Sequence, residues 1–257
     1  MSTIGMFDSG VGGLSVLAES RSLMPGPTFI YLADQAYGPY GDRSLNEVRR
    51  RSDLIARSLI EHGAEMIVVA CHTASAAALH YLRARHPLIP IVGIEPAIKP
   101  AVEGSETGSI GVMATTATFQ GELFSSVVER FAGNARVIAR PCPGLADLVE
   151  TGADPTIVET ALIEHLRPFR DRNVDRIVLG CTHYSFIGGL IADLSGVDVV
   201  DPAPPVARQV ARVAERNGLT KEGSGSTELL TTGDPIQFQQ RATSLLNEVV
   251  TAGRIEI

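Results

Sequence analysis

A short motif occurs twice in this chain and limits the folds that are open to it. Residues 66–73 read MIVVACHT and residues 176–183 read RIVLGCTH. Each copy consists of an apolar, largely β-branched run, a small residue, a cysteine and a threonine–histidine pair in either order. Short apolar runs bounded by turn-forming residues are typical of buried parallel strands. The chain is therefore predicted to contain at least two such strands, each followed by a cysteine.

The two cysteines of the motif are Cys71 and Cys181, 110 positions apart, about the length of one small domain. Both stand at the carboxyl ends of predicted strands, which is where α/β sheets bind their ligands. We therefore predict two halves that each present one thiol to a shared cleft. Two thiols on opposite faces of one substrate suit the transfer of a proton from one side of a carbon to the other.

The rest of the chain alternates between strand-like and helix-like segments. Strands are predicted near residues 3–7, 29–33, 91–94, 109–114, 136–139, 198–201 and 228–232, besides the two cysteine strands. Helices are predicted from about residues 14, 45, 74, 121, 155, 206 and 235. Ser44 and Glu47 form a capping box, and Pro155 follows the cap residue Asp154, so these two helix starts are well marked. Residues 201–205, DPAPP, are predicted to be a linker. Alternation of this kind predicts an α/β fold with parallel sheets flanked by helices.

Composition excludes several classes of protein. The formal net charge of −7 argues against general binding to nucleic acid or to an anionic membrane. No apolar run approaches the roughly 18 residues of a membrane span, and the first residues do not resemble a signal peptide. Three cysteines are an odd number, so we expect reduced thiols in the cytoplasm. The spacings typical of structural zinc sites and zinc proteases are absent, so no metal is expected.

Several residues near the predicted strand ends have two interpretations. Gly10, Gly12 and Gly13 lack the third glycine of a dinucleotide fingerprint, so they predict either a tight turn or a site for an anionic group such as a carboxylate. Asp8 fits a helix cap and a base near Cys71 equally well. His183 is the natural partner of Cys181, although it also fits a core histidine. Cys142 lacks the strand-end context and is interpreted as structural.

An ordered set of blocks resembles the signature sequences of bacterial glutamate racemase. The blocks are FDSGVGGL at residues 7–14, PYGDRS at 39–44, ACHTAS at 70–75, GIEPAIKP at 93–100, LVETG at 148–152 and GCTHY at 180–184. The resemblance runs in order to about residue 205, with a further similar stretch at 233–235. The set is far more specific than any one of its motifs.

The resemblance implies a cofactor-independent amino-acid racemase that supplies D-glutamate for peptidoglycan. It implies two pseudo-symmetric lobes with the active site in the cleft between them, and we expect the protein to be a homodimer. The first lobe would comprise residues 1–96 and 206–257, and the second residues 97–205. Cys71 and Cys181 would be the acid/base thiols, with Asp8 assisting Cys71 and His183 assisting Cys181. The residues implied to hold the amino-acid substrate or to lie beside it are Asp8, Ser9, Tyr40, Gly41, His72, Thr73, Thr115, Thr118, Glu150, Thr182 and His183.

The chain departs from the family at His72, where asparagine is usual and contacts the substrate. An imidazole is bulkier than an amide, and places its donor and acceptor differently. A narrower pocket would favour aspartate over glutamate, and a loss of activity would leave a binding or regulatory protein. A cysteine hydrolase using Cys181 and His183 is another enzyme class, but a nucleophile and base two residues apart are sterically awkward. Such a hydrolase also has no need of Cys71.

Overall fold

The structure, a computed structural model, describes residues 2–220, 223 and 225–257. These residues form strands that follow one another in the order β1 (Thr3–Asp8), β2 (Thr28–Ala33), β3 (Met66–Val69), β4 (Ile91–Gly93), β5 (Ser109–Ala114), β6 (Arg136–Pro141), β7 (Arg176–Gly180), β8 (Asp198–Val200), β9 (Thr227–Thr231) and β10 (Ala252–Arg254). Both cysteine motifs begin with one of these strands, β3 and β7, as predicted.

Helices connect the strands, so that the alternation predicted from the sequence is present. They are α1 (Leu14–Leu23), α2 (Leu45–Glu61), α3 (His72–Arg85), α4 (Ile98–Gly104), α5 (Thr116–Gln120), α6 (Glu122–Phe131), α7 (Leu145–Thr151), α8 (Pro155–Arg170), α9 (Gly188–Ser195), α10 (Ala203–Arg216) and α11 (Pro235–Leu246), with a 3₁₀-helix at Thr182–Ile187. The Ser44–Glu47 capping box and the Asp154 cap are both formed. Among the described residues, no helix is both long and apolar enough to cross a bilayer.

The strands form two sheets in which every neighbouring pair is parallel. One sheet has the order β10-β9-β2-β1-β3-β4, and the other has the order β6-β5-β7-β8. The order β2-β1-β3-β4 within the first sheet repeats as β6-β5-β7-β8 in the second, with β3 and β7 in equivalent places. This confirms the predicted fold of two pseudo-symmetric α/β lobes. The last two strands join the first sheet, while the domain boundaries at residues 96 and 205 stay a prediction.

The central strands β1, β2 and β3 of the first sheet are buried on both faces, which explains their largely apolar sequences. Ile4, Met6 and Tyr31 pack into a core with α1, α10 and α11. Phe7 and Leu32 point the other way, into a core that includes α2 and α3 and continues to residues of β5 and β7 in the second sheet. A separate core lies under α8 and α9 of the second lobe. The continuous core fixes one lobe against the other along one side of the cleft.

The structure corrects the prediction at residues 201–205. These residues do not form a linker, because α10 begins at Ala203 and holds Pro204 and Pro205 in its first turn. Proline is tolerated there, since the amide groups of a first turn have no partner within the helix. The short elements α4, α5, α7, α9 and β10 were not predicted, because three to eight residues show too little periodicity to stand out from a loop.

Candidate active site

A cavity of about 270 Å³ lies where the carboxyl ends of the two sheets face each other. Both Cys71 and Cys181 line it, together with predicted residues and loop residues of both lobes. The lining comprises Ser9, Gln35, Gly38, Pro39, Tyr40, Gly41, Asp42, Cys71, His72, Thr73, Thr115, Thr116, Cys142, Pro143, Gly144, Ala146, Asp147, Glu150, Thr151, Cys181, Thr182 and His183. Sites for drug-sized ligands measure roughly 300–1,000 Å³, so this cavity suits a smaller molecule.

Cys71 stands between the end of β3 and the start of α3, where it caps the helix. Its Sγ accepts a hydrogen bond from the Ala74 amide at 3.4 Å and lies 3.9 Å from the Ser9 hydroxyl oxygen. Burial raises the pKa of the Cys71 thiol far above its ordinary value, and the negative charge of Asp8 adds to the effect. The hydrogen bond from the Ala74 amide lowers this pKa, but by less than burial and Asp8 raise it. Without a ligand, Cys71 is therefore a protonated thiol.

Asp8 is fully buried at the end of β1, just behind the cavity wall. Its Oδ1 accepts the Gly10 amide at 2.8 Å, and its Oδ2 accepts the Thr182 hydroxyl of the other lobe at 2.9 Å. Burial raises the pKa of this carboxyl to about 6 despite the nearby His183. The cap position of α1 is Gly13, so the helix-cap interpretation of Asp8 is wrong. Its negative charge raises the pKa of the Cys71 thiol, and its role as a base near Cys71 stays a prediction.

Cys181 follows β7 and is buried beside His183 on the 3₁₀-helix. Its Sγ lies 3.7 Å from the Nδ1 atom of His183, whose Nε2 atom lies 2.7 Å from Oε2 of Glu150. Burial alone would lower the pKa of His183, but the hydrogen bonds with Cys181 and Glu150 outweigh it and raise this pKa well above 6.5. The His183–Glu150 pair therefore places a positive charge next to the Cys181 sulfur.

Glu150, on α7 of the second lobe, also reaches across to the first lobe. Its Oε2 accepts the Val11 amide at 2.8 Å and its Oε1 accepts the Gln35 side chain at 2.5 Å. A Cβ atom at Gly10 would collide with this carboxylate. The glycine turn thus binds an anionic group, as one of the two interpretations predicted, and that group is a side chain of the protein itself.

Three threonine hydroxyls meet between the lobes. The Oγ1 atom of Thr73 lies 2.9 Å from that of Thr115 and 3.2 Å from that of Thr118, and the latter two lie 2.9 Å apart. Thr73 and Thr115 line the cavity, while Thr118 supports them from behind. A hydroxyl both donates and accepts, so this cluster can turn its hydrogens toward a bound carboxylate.

The loop after β2 forms a wall of the cavity and presents Tyr40 and Gly41 to it. The Tyr40 hydroxyl is already committed, because it donates to Asp34 at 2.6 Å. Asp34 is fully buried and is also held by two hydrogen bonds from Arg51, at 2.7 and 2.8 Å. Tyr40 therefore contributes its ring, and its place in the wall is fixed by an ion pair outside the cavity.

His72 is 2 % exposed, and neither ring nitrogen has a hydrogen-bond partner. Burial lowers the pKa of this imidazole to about 3, so it is neutral at physiological pH. Each of the two motifs contains one histidine. His72 stands one residue after Cys71, and His183 stands two residues after Cys181. Only His183 contacts its cysteine sulfur. His72 instead brings an unpaired donor and an unpaired acceptor to the cavity wall.

The sequence interpretation missed Gln35, Asp34 and Arg51, although the structure shows that they hold site residues in place. Asp34 and Gln35 directly follow β2, and polar residues at a strand end were the only signal that pointed to them. Cys142 was expected to be structural, and that role stays a prediction. The structure places it in the cavity wall, where burial raises the pKa of its thiol to about 12. In the part of the chain that the structure describes, no three histidine, cysteine, aspartate or glutamate side chains converge as a metal site.

Comparison with known proteins places this site in a family. The family described as Asp/Glu/Hydantoin racemase matches residues 13–210. The glutamate racemase of Roseiflexus sp. (strain RS-1) is 45% identical over 241 residues, which is 91% of this chain and 89% of the relative. The family match begins at residue 13, so it covers the site residues described above except Asp8, Ser9, Gly10, Val11 and Gly12.

Two solved structures resemble the whole chain. Glutamate racemase from Francisella tularensis, in complex with D-glutamate, has a TM-score of 0.86 and 27% identity and covers 99% of this chain and 97% of its own. Escherichia coli glutamate racemase, in complex with L-glutamate and the activator UDP-MurNAc-ala, has a TM-score of 0.85 and 29% identity. That match covers 99% of this chain and 98% of the other.

Proposed function

This chain belongs to the Asp/Glu/Hydantoin racemase family, and we propose that it interconverts L- and D-glutamate with Cys71 and Cys181 as the two acid/base groups. The observation that carries this proposal is the pair of thiols, one from each sheet, on one small cavity. Relatives bind L-glutamate in one structure and D-glutamate in another, which fits both directions of one reaction. The enzyme is an isomerase.

The reaction moves one proton off the α-carbon and another onto it. A thiolate on one face takes the α-hydrogen and becomes a thiol, leaving the electron pair on the α-carbon. The thiol on the opposite face donates its proton to that pair and becomes a thiolate. The product is the mirror image of the substrate, and the two cysteines have exchanged protonation states. The reverse reaction runs through the same steps with the roles exchanged.

The two sulfurs are prepared for these roles by their surroundings. A positive charge on His183 lies beside the Cys181 sulfur, while burial and the charge of Asp8 raise the pKa of the Cys71 thiol. The two sulfurs therefore differ in the charges that surround them before the substrate binds. When the ammonium group of an amino acid enters, its positive charge lowers the cost of a thiolate at Cys71 as well.

Acid–base groups of this kind contribute about 10²- to 10⁴-fold to a rate, so the carbanion needs further stabilisation. Hydroxyl and amide donors aimed at the substrate carboxylates supply it, because negative charge spreads onto the α-carboxylate as the proton leaves. Ser9, Thr73 and Thr115 present hydroxyls to the cavity for this task, Thr118 supports the two threonines from behind, and Thr182, whose hydroxyl donates to Asp8, has its oxygen left to accept from the substrate ammonium group. We assign substrate binding to them and to the Tyr40–Gly41 wall.

We also propose that the D-glutamate serves peptidoglycan synthesis in the cytoplasm. The support is the E. coli structure, which holds the activator UDP-MurNAc-ala together with L-glutamate. The net charge of −7 and the reduced, unpaired cysteines fit a cytoplasmic enzyme that acts on a small metabolite.

Incubation with L-glutamate and, separately, L-aspartate in D₂O tests the proposal. With two bases on opposite faces, D-glutamate formed early in the reaction should carry deuterium at the α-carbon, while the remaining L-glutamate keeps hydrogen. If aspartate reacted faster than glutamate, aspartate would be the preferred substrate in place of glutamate. Deuterium in neither amino acid, with no change of chirality, would refute the enzymatic function and favour a binding protein.

A further inference from the structure

One arginine reaches from the first lobe to the second close to the active site without lining the cavity. Arg241 lies on α11, whose Phe238 and Ala242 are buried in the core of the first lobe. Its Nε and Nη2 atoms both donate to the carbonyl oxygen of Val149, at 3.0 and 2.5 Å. Val149 belongs to α7 of the second lobe. The contact therefore links the two lobes, and α11, which carries Arg241, is anchored in the core of the first lobe.

The guanidinium covers the carboxyl end of α7. This helix ends at Gly152, which is left-handed with φ 70° and donates its amide to the carbonyls of Leu148 and Val149. A Cβ atom at Gly152 would lie 3.0 Å from Nη1 of Arg241. A cation at a helix carboxyl end is favourable, because the last carbonyls carry partial negative charge and lack partners within the helix. Arg241 thus fixes the last turn of a seven-residue helix.

The residue next to Val149 is Glu150, the partner of His183. Glu150 must keep its carboxylate within 2.7 Å of the imidazole, which in turn lies 3.7 Å from the Cys181 sulfur. A helix as short as α7 has little stability of its own, so its orientation depends on contacts with its surroundings. The Arg241 contact is one residue away from the side chain that needs to be placed.

We infer that Arg241 is a positioning residue for the reaction, which holds Glu150, and through it His183, in register with Cys181. This inference rests on the proposed racemase function. It implies that α11, near the end of the chain, controls the acid/base group of the opposite lobe. A shift of about 1 Å in a group that positions a reacting atom can cost about 100-fold in rate, so the expected effect is large for a residue outside the cavity.

The test compares Arg241→Gln and Arg241→Lys with the control Arg208→Gln, which removes an exposed arginine of α10. In Arg241→Gln, kcat for glutamate should fall about 10- to 100-fold with KM changed less than about threefold. Arg241→Lys keeps one donor and the charge and should recover part of the loss. The control should match the wild type. Equal loss in the two Arg241 variants, or a loss in KM alone, would overturn the inference.

Isotope effects separate positioning from general damage. If only the Cys181 step is slowed, the primary deuterium isotope effect should rise for one α-deuterated enantiomer of glutamate and not for the other. Isotope effects that stay equal for the two enantiomers would contradict the inference.

A readout without turnover keeps the inference testable if the wild type proves inactive. The imidazole of His183, assigned in NMR spectra by its loss in His183→Asn, faces Glu150, Cys181, Asp8 and Asp147. Moving Glu150 away should lower its titration midpoint by about one pH unit in Arg241→Gln, since a hydrogen-bonded carboxylate raises a histidine pKa by this order. An unchanged His183 titration would overturn the inference, whereas an inactive wild type with a shifted titration would refute the proposed function alone.

Discussion

The two cysteine strand ends are alike in sequence and differ in their electrostatics. Cys71 has its thiol pKa raised by burial and lies near the carboxyl of Asp8, while the histidine that follows it is neutral and has no hydrogen-bond partner. Cys181 lies beside an imidazole whose pKa is raised by Glu150. The difference arises because the charged neighbours come from other segments of the chain. A repeated motif can therefore present the same reactive group in two different electrostatic environments.

Replacing either Cys71 or Cys181 should give the largest loss of activity. Cys71→Ser and Cys181→Ser should each lower kcat for glutamate by about 10³-fold or more, because a serine hydroxyl is a far weaker acid than a thiol of ordinary pKa about 8.5. Chirality of the product, measured over time, gives the rate. The control is Cys142→Ser, which changes the third cysteine of the same cavity and should stay within a few fold of the wild type. Turnover retained in either variant would remove that cysteine from the mechanism.

Removing the charge that distinguishes the Cys181 side should have the next largest effect. Glu150→Gln keeps the size of the side chain but withdraws its negative charge from His183, so kcat should fall by about 10- to 100-fold. A pH profile of kcat/KM, run on both proteins, measures the change. If the loss were no greater than for the control Glu159→Gln, the same exchange on the exposed face of α8, the His183–Glu150 pair would have no part in the reaction.

The same substitution also predicts a pH dependence of stability. His183 has a raised pKa when folded, so its contribution is fully present below about pH 6.5 and is lost as the pH rises through the raised value. Glu150 has a lowered pKa, so its contribution is present above about pH 4.3 and is lost as the pH falls through the lowered value. The unfolding free energy of the wild type should exceed that of Glu150→Gln by about 1–3 kcal/mol near pH 5.5 and by less at pH 9. Urea unfolding at both pH values checks this, and a difference that grows at pH 9 would contradict it.

A smaller change is expected on the Cys71 side, where His72 replaces the usual asparagine. His72→Asn should keep activity and raise the preference for glutamate over aspartate several-fold, because a site that gains a matching hydrogen-bonding group discriminates better between substrates. Values of kcat/KM for both enantiomers of both amino acids measure the preference. An active wild type whose preference does not change on substitution would show that His72 does not set specificity.

The smallest effect should come from removing metal ions. The contrast between the two thiols is meaningful only if they transfer protons themselves and do not serve as metal ligands. Dialysis against a chelator should leave turnover unchanged within error, and absorbance spectra should show no bound aldehyde cofactor. Activity that is lost on chelation and restored by a divalent metal would assign the thiols a different role.

Much of the fold and part of the site could be predicted, because their signals are local. Apolar runs predicted β1, β3, β5 and β7, and the capping box and Asp154 predicted two helix starts within one residue. Cysteines after two of those strands predicted a shared cleft, which the cavity confirms. The short helix α7, which carries Glu150, was not predicted.

The sequence alone determined the strand and helix pattern and the position of each thiol at a strand end, since backbone hydrogen bonding and alternation of apolar residues act over a few neighbours. Only the tertiary structure decided which thiol has a charged partner. Val11 and Glu150 are 139 positions apart, and Asp8 and Thr182 are 174 apart, yet each pair is hydrogen-bonded. Contacts at such separations depend on how two lobes pack, and burial then multiplies the effect of each charge because little water remains to screen it.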